Sequence, residues 1–160
     1  MKNKNTNSVL FVCSANQCRS PMAEALLCNH LEDEGQNPEK WRIASAGCWA
    51  YPEIPATQKA VETVASIGCD LSSHSSQAVS DKLLKDFNLI LCMEKEHVDF
   101  IYRHFQGNDK KVFLLSEMIE EDFEIEDPVG RSLEDYKKTA TQLLNIIKSG
   151  FGNISRLSGK

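Results

Sequence analysis

Cys13 and Arg19 stand with five residues between them and Ser20 follows at once, so a thiol and a guanidinium can face one ligand from a single turn of backbone. Sulfur attacks phosphorus, and a guanidinium holds two phosphate oxygens in a bidentate fork. The spacing alone is weak, because six cysteines in 160 residues produce some Cys-x5-Arg by accident. Its setting carries the weight. The apolar run Val9 to Cys13 has the pattern of a strand and Pro21 opens a helical one, so the pair lies on a strand-to-helix turn. Ligands of open parallel sheets sit at the carboxyl ends of strands, and a helix N-terminus adds unpaired amides and a dipole that favours an anion. Ser14, Ala15, Asn16, Gln17 and Cys18 are enough to curl around a tetrahedral anion, and Asn16 tolerates the left-handed angles of such a curl. A helix N-terminus and an arginine favour the ionised, nucleophilic form of a thiol. A free thiol already supplies a few per cent of that form near pH 7, so most of the acceleration must come from amides and Arg19 stabilising charge on the phosphoryl oxygens. A buried core cysteine beside a surface arginine is the plainer alternative, and it leaves the helix-initiating turn unexplained.

Displacing an alkoxide or phenoxide also needs a proton donor. Asp127, ahead of Pro128 and Gly130 in a turn, is the candidate, and the same carboxylate could later take a proton from water. An Asx turn or a cap is the plainer alternative for Asp127, and the sequence leaves it open.

The elements that must position these groups alternate along the chain. Val9 to Cys13, Arg42 to Ser45, Leu89 to Met93 and Val112 to Leu115 read as strands whose continuous apolar character implies burial on both faces, hence an α/β fold with parallel strands. Helical patterns occupy Pro21 to Glu34, Ala56 to Ile67, Asp81 to Asp86, Glu96 to Phe105 and Leu133 to Lys148, the last opened by a Ser132/Asp135 capping pattern. One domain over 8–150 is expected, with polar tails at 1–7 and 151–160. Seven carboxylates between Glu117 and Asp127 read first as a solvated face.

Composition narrows the function classes. Eighteen Lys plus Arg against 23 Asp plus Glu give a net charge of -5, which offers no electrostatic footprint for nucleic acid or an anionic membrane. Neither a membrane-length apolar run nor a signal-peptide pattern is present, so a cytoplasmic protein with six reduced thiols is expected. Dinucleotide and nucleoside-triphosphate motifs are also missing, and no cofactor is implied.

The run Val12-Cys13-x-x-Asn16-x-Cys18-Arg19-Ser20-Pro21-Met22-Ala23-Glu24 resembles the active-site signature of the low-molecular-weight protein tyrosine phosphatases, in their bacterial form. Ser45-Ala46-Gly47 with Trp49, Pro55-Ala56, Gly68-x-Asp70-x-Ser72-x-His74, Leu89-Ile90-Leu91-x-Met93 and Asp127-Pro128 follow in family order. The resemblance implies a single-domain three-layer sandwich with a four-stranded parallel sheet in order 2-1-3-4. It also implies metal-free hydrolysis of phosphotyrosine in proteins or small aryl phosphates through a phosphocysteine, inhibited by phosphate and vanadate. Cys13 would be the nucleophile, Arg19 the phosphate ligand and Asp127 the general acid and then base. Ser20 would donate to the sulfur, while Asn16, Ser45 and His74 would hold the loop in shape; His74 on its own also reads as a polar residue at a helix start. Cys18 matches a second cysteine that forms a reversible, protective disulfide with the nucleophile.

Several positions depart from the family pattern. Ala15 replaces a common glycine. Gln17 stands where relatives have an aliphatic residue, or threonine in those acting on phosphoarginine, so a protein-arginine phosphatase is the alternative enzyme. Val129 and Gly130 replace two tyrosines of the eukaryotic type, leaving Trp49 and Tyr51 with Val129 as the pocket wall. A monomer is expected. The rivals are an arsenate reductase, which would need a downstream cysteine relay from Cys69 and Cys92, a zinc site on Cys13, Cys18, Cys69 and His74, and a noncatalytic phosphopeptide-binding module.

Overall fold

The computed structural model describes residues 6–159. Four parallel strands form one sheet: β1 (Asn7–Cys13), β2 (Trp41–Gly47), β3 (Leu89–Cys92) and β4 (Val112–Leu114), in the order β2-β1-β3-β4. The connections are α1 (Arg19–Asp33), α2 (Gln58–Ala65), α3 (Asp81–Lys85) and α4 (Lys95–His104), and after β4 come α5 (Leu133–Ser149) and α6 (Phe151–Ser158). The sheet order and the helix-flanked parallel architecture agree with expectation, with strand and helix ends shifted by one or two residues.

Side chains alternate across each strand and build two cores. Val9 and Phe11 of β1 with Leu89 and Leu91 of β3 join Met22, Leu26, Ala60, Leu143 and Ile154 on the face covered by α1, α2, α5 and α6. Leu10, Val12, Ile90 and Cys92 join Leu84, Phe87 and Ile101 on the face of α3 and α4. Burial on both faces is why these strands read as unbroken apolar runs. Cys69 and Cys92 fall into opposite cores, so they form no relay.

Two expectations are corrected. Helix α1 begins at Arg19, which makes Pro21 its third residue rather than its first. The cost is nil, because first-turn amides have no intrahelical acceptor. The C-terminal segment is not a polar tail but α6: Ile154 is fully buried, the Asn7 side chain donates to Ser155 O (2.9 Å) and Ser158 Oγ (2.8 Å), and Asn88 donates to Ser158 O (2.8 Å). Three glycines from 150 to 159 hide this helix in the sequence. Of the other expected tail, residues 1–5 lie outside the described residues, while Asn7 already pairs in β1.

Glycine matters at one close approach near the site. A Cβ on Gly47, at the end of β2, would stand 2.6 Å from Ser14 O and 2.9 Å from Asn16 N. The Ser45-Ala46-Gly47 motif thus lets the turn after β1 lie against β2.

Candidate active site

The turn from Cys13 to Arg19 is held open by Asn16, whose φ of 57° is left-handed as its residue type suggested. Its side chain and its carbonyl are all engaged. Its Nδ2 donates to Ser20 Oγ (2.8 Å) and Ser45 Oγ (2.9 Å), and its Oδ1 accepts from Gln77 N (3.0 Å). Its carbonyl lies 2.8 Å from His74 Nε2, a contact that requires the ring to donate there. Ser45 passes the chain on by donating to Glu24 Oε2 (2.6 Å). Burial outweighs that hydrogen bond and raises the pKa of Glu24. Cys13, at the carboxyl end of β1, has its Sγ 3.0 Å from Ser20 Oγ, while Cys48 N and Trp49 N donate to the carbonyls of Cys13 and Ser14 (2.9 Å each).

Arg19 is 1 % exposed, and its fork is aimed by groups from distant elements. Nη1 donates to Glu94 Oε2 (2.8 Å) and Ile125 O (2.6 Å), and Nη2 donates to Ser14 Oγ (3.4 Å) and lies 3.5 Å from Asp127 Oδ2. Ile125 is buried and its N–H bonds Met93 O (2.9 Å), which anchors the segment carrying Asp127 beside the end of β3. The Asx-turn reading of Asp127 holds. Its Oδ1 accepts from Val129 N (3.1 Å) in an Asx turn, which leaves Oδ2 turned to Arg19. The expected solvated face around it is partly engaged: Glu117 accepts from Leu114 N, Glu124 from Lys95 N, Asp122 pairs with Lys95 and Glu126 with Arg131.

Cys13, Ala15, Gln17, Cys18, Arg19, Asp127 and Val129 line one small cavity of about 50 Å³. A thiol, a guanidinium and a carboxyl group therefore converge on one small cavity. Trp49 (50 % exposed) and Tyr51 (76 % exposed) do not line it; Trp49 leans instead on Phe100 and His97, at ring distances of 5.4 and 5.9 Å. Cys18 Sγ lies 3.3 Å from Tyr136 Oη and 3.5 Å from Thr57 Oγ1, and burial raises its pKa. The zinc set is not assembled: Cys69 and His74 line a different cavity, against α1 and β2. Among the described residues Glu94, Glu96 and His97 bring ligand atoms within 4.8 Å of one another, but Glu94 is committed to Arg19, and His97 to Glu94 N and Ser14.

Sequence reasoning missed Glu94, His97, Gln77 and Glu24 as parts of this site. Only Glu24 left a signal, as the last residue of the signature after Cys13.

Residues 8–155 match the family described as low molecular weight phosphotyrosine protein phosphatase. The chain is 36% identical over 141 residues to a protein-arginine-phosphatase of Bacillus subtilis, covering 88% of this chain and 91% of that protein. A probable low molecular weight protein-tyrosine-phosphatase, EpsP, of Ralstonia nicotianae is 35% identical over 82% of this chain and 84% of its own length. The crystal structure of a low molecular weight protein tyrosine phosphatase from T. tengcongensis superposes with a TM-score of 0.86 at 34% identity, covering 92% of this chain and 99% of that one. With the family matched over nearly its whole length and the four strands in the order its signature implied, the chain belongs to the low molecular weight phosphotyrosine protein phosphatases.

Proposed function

We propose that this phosphatase hydrolyses phosphotyrosine in proteins, with Cys13 attacking phosphorus and Asp127 serving first as acid and then as base. The observation that carries the reading is the single cavity shared by Cys13, Arg19 and Asp127. In the first step a bond forms from Sγ to phosphorus as the bond to the leaving phenoxide breaks, and Asp127 gives that oxygen its proton. In the second step Asp127 takes a proton from water, whose oxygen displaces the thiolate and releases phosphate. Arg19 and the loop amides balance the charge on the phosphoryl oxygens throughout. Val129 lines that cavity and is 57 % exposed, an apolar surface against which the phenol ring packs in this reading. Ser20, Asn16, Ser45 and His74 keep the loop in shape in this reading, and the enzyme works as a cytoplasmic monomer without a metal.

A second reading, hydrolysis of phosphoarginine, draws on the name of the Bacillus subtilis relative. One comparison decides between them: phosphate release from a phosphotyrosine peptide and from a phosphoarginine peptide, side by side, with EDTA present and with vanadate as inhibitor. Faster turnover of the phosphotyrosine peptide is expected. A reversed preference selects the arginine reading, and a folded protein inert on both selects the noncatalytic binding module. Cys13→Ser is expected to abolish turnover while phosphate still binds.

A further inference from the structure

We propose that His97 is a positioning residue for phosphoryl transfer: its Nε2–H, through the hydroxyl of Ser14, fixes the face that Arg19 turns toward the transferred group. The inference rests on the loop from Cys13 to Arg19 being the phosphate cradle.

His97 is the third residue of α4 and is completely buried. Its Nδ1 accepts the N–H of Glu94 at 3.1 Å, which places the ring hydrogen on Nε2. Nε2 lies 2.8 Å from Ser14 Oγ and so donates to it. Ser14 Oγ also accepts from Arg19 Nη2, Arg19 Nη1 donates to Glu94 Oε2, and that carboxylate oxygen lies 3.5 Å from His97 Nε2. The four residues close a ring whose members come from the ends of β1 and β3 and from the first turns of α1 and α4.

Capping α4 does not account for this arrangement. A cap uses Nδ1 alone, and Glu or Gln meets the same need at this position of a helix. Nε2 serves the helix in no way, and its hydrogen goes to a residue 83 positions away. The ring also stays uncharged: burial, and after it the nearby Arg19, lower the His97 pKa to about 3. A neutral donor can sit behind the guanidinium without repelling it, as a lysine or a charged histidine could not.

The test is steady-state kinetics and vanadate inhibition of the intact enzyme with p-nitrophenyl phosphate. His97→Asn keeps an acceptor for Glu94 N and loses the donor to Ser14. It is expected to lower kcat about tenfold, the size of one lost hydrogen bond, with KM within about twofold and with vanadate binding weakened in parallel. His97→Gln reaches Ser14 with its amide nitrogen and is expected to recover kcat to within about threefold of wild type. Ser14→Ala leaves the buried ring in place and is expected to match His97→Asn, the double variant being no worse than either single one. Wild-type kcat in folded His97→Asn, or His97→Gln as slow as His97→Asn, overturns the proposal. If His97→Asn does not fold, wild-type kcat in Ser14→Ala overturns it. A wild-type enzyme that binds no vanadate removes the cradle reading itself, and that failure is visible before any variant is made.

Discussion

The Sγ of Cys13 lies 3.0 Å from the Oγ of Ser20, a hydroxyl that Asn16 Nδ2 also holds at 2.8 Å. Because Asn16 Nδ2 donates to that hydroxyl, Ser20 accepts there, and its own hydrogen has two acceptors in reach, the sulfur at 3.0 Å and Ala46 O at 3.4 Å, of which the sulfur is the nearer. A thiolate with such a donor is better stabilised as the leaving group of the second step. Ser20→Ala is expected to lower kcat about tenfold to a hundredfold with little change in KM. It also strands one Asn16 hydrogen in the core, so urea unfolding should show a loss of about 1–3 kcal/mol. An unaltered kcat would mean that the contact does nothing in turnover.

Asp127 gives one oxygen to Val129 N and turns the other toward Arg19, so its carboxyl enters the cavity already oriented. Replacement by Asn keeps the turn but has no proton to give. Phenoxides leave with less help than alkoxides do. The Asp127→Asn variant should therefore lose about 10²–10⁴-fold on an alkyl phosphate and clearly less on p-nitrophenyl phosphate. Equal losses on the two esters would place the acid elsewhere.

What the sequence made legible was local. Cys13, Asn16, Arg19 and Ser20 lie within eight consecutive positions, and the left-handed Asn16, the strand before it and the helix after it are written in residue types and periodicity. Glu94 and His97 are as close to Arg19 and Ser14 in space, yet they are 75 and 83 positions away in the chain. A histidine in the first turn of an amphipathic helix carries no mark of which ring nitrogen faces what. Gln77 acts on Asn16 through its backbone N–H, which no side-chain pattern encodes. Helix α6 was hidden for a different reason: its glycines argue against a helix, and its burial against β1 and β3 overrides them.

Cys18 is a poor thiolate by environment, since burial raises its pKa despite the hydroxyls of Thr57 and Tyr136. Peroxide would convert the Cys13 thiolate to a sulfenic acid with loss of hydroxide, and the Cys18 thiol would then attack that sulfur and release water as the disulfide forms. The first step is set by Cys13 and the second by Cys18. The wild-type enzyme is expected to regain most of its activity with dithiothreitol after peroxide, and Cys18→Ser to regain much less, the gap widening with exposure time. Equal recovery would show that Cys18 protects nothing.

His97 carries a cost in acid that can be measured apart from catalysis. Its pKa falls from 6.5 to about 3 on folding, so below pH 6.5 the unfolded chain binds a proton that the native state refuses. The stabilising contribution is thus complete above about pH 6.5 and is lost as the pH falls toward 3, at no more than about 1.4 kcal/mol per pH unit. Gln does not titrate, so the stability of His97→Gln relative to wild type should rise steadily as urea unfolding is repeated from pH 7 down to pH 4. Carboxylates common to both proteins cancel in that difference. Parallel stability curves would mean that the ring accepts a proton in the native state, and the neutral donor behind Arg19 would then be lost in mild acid.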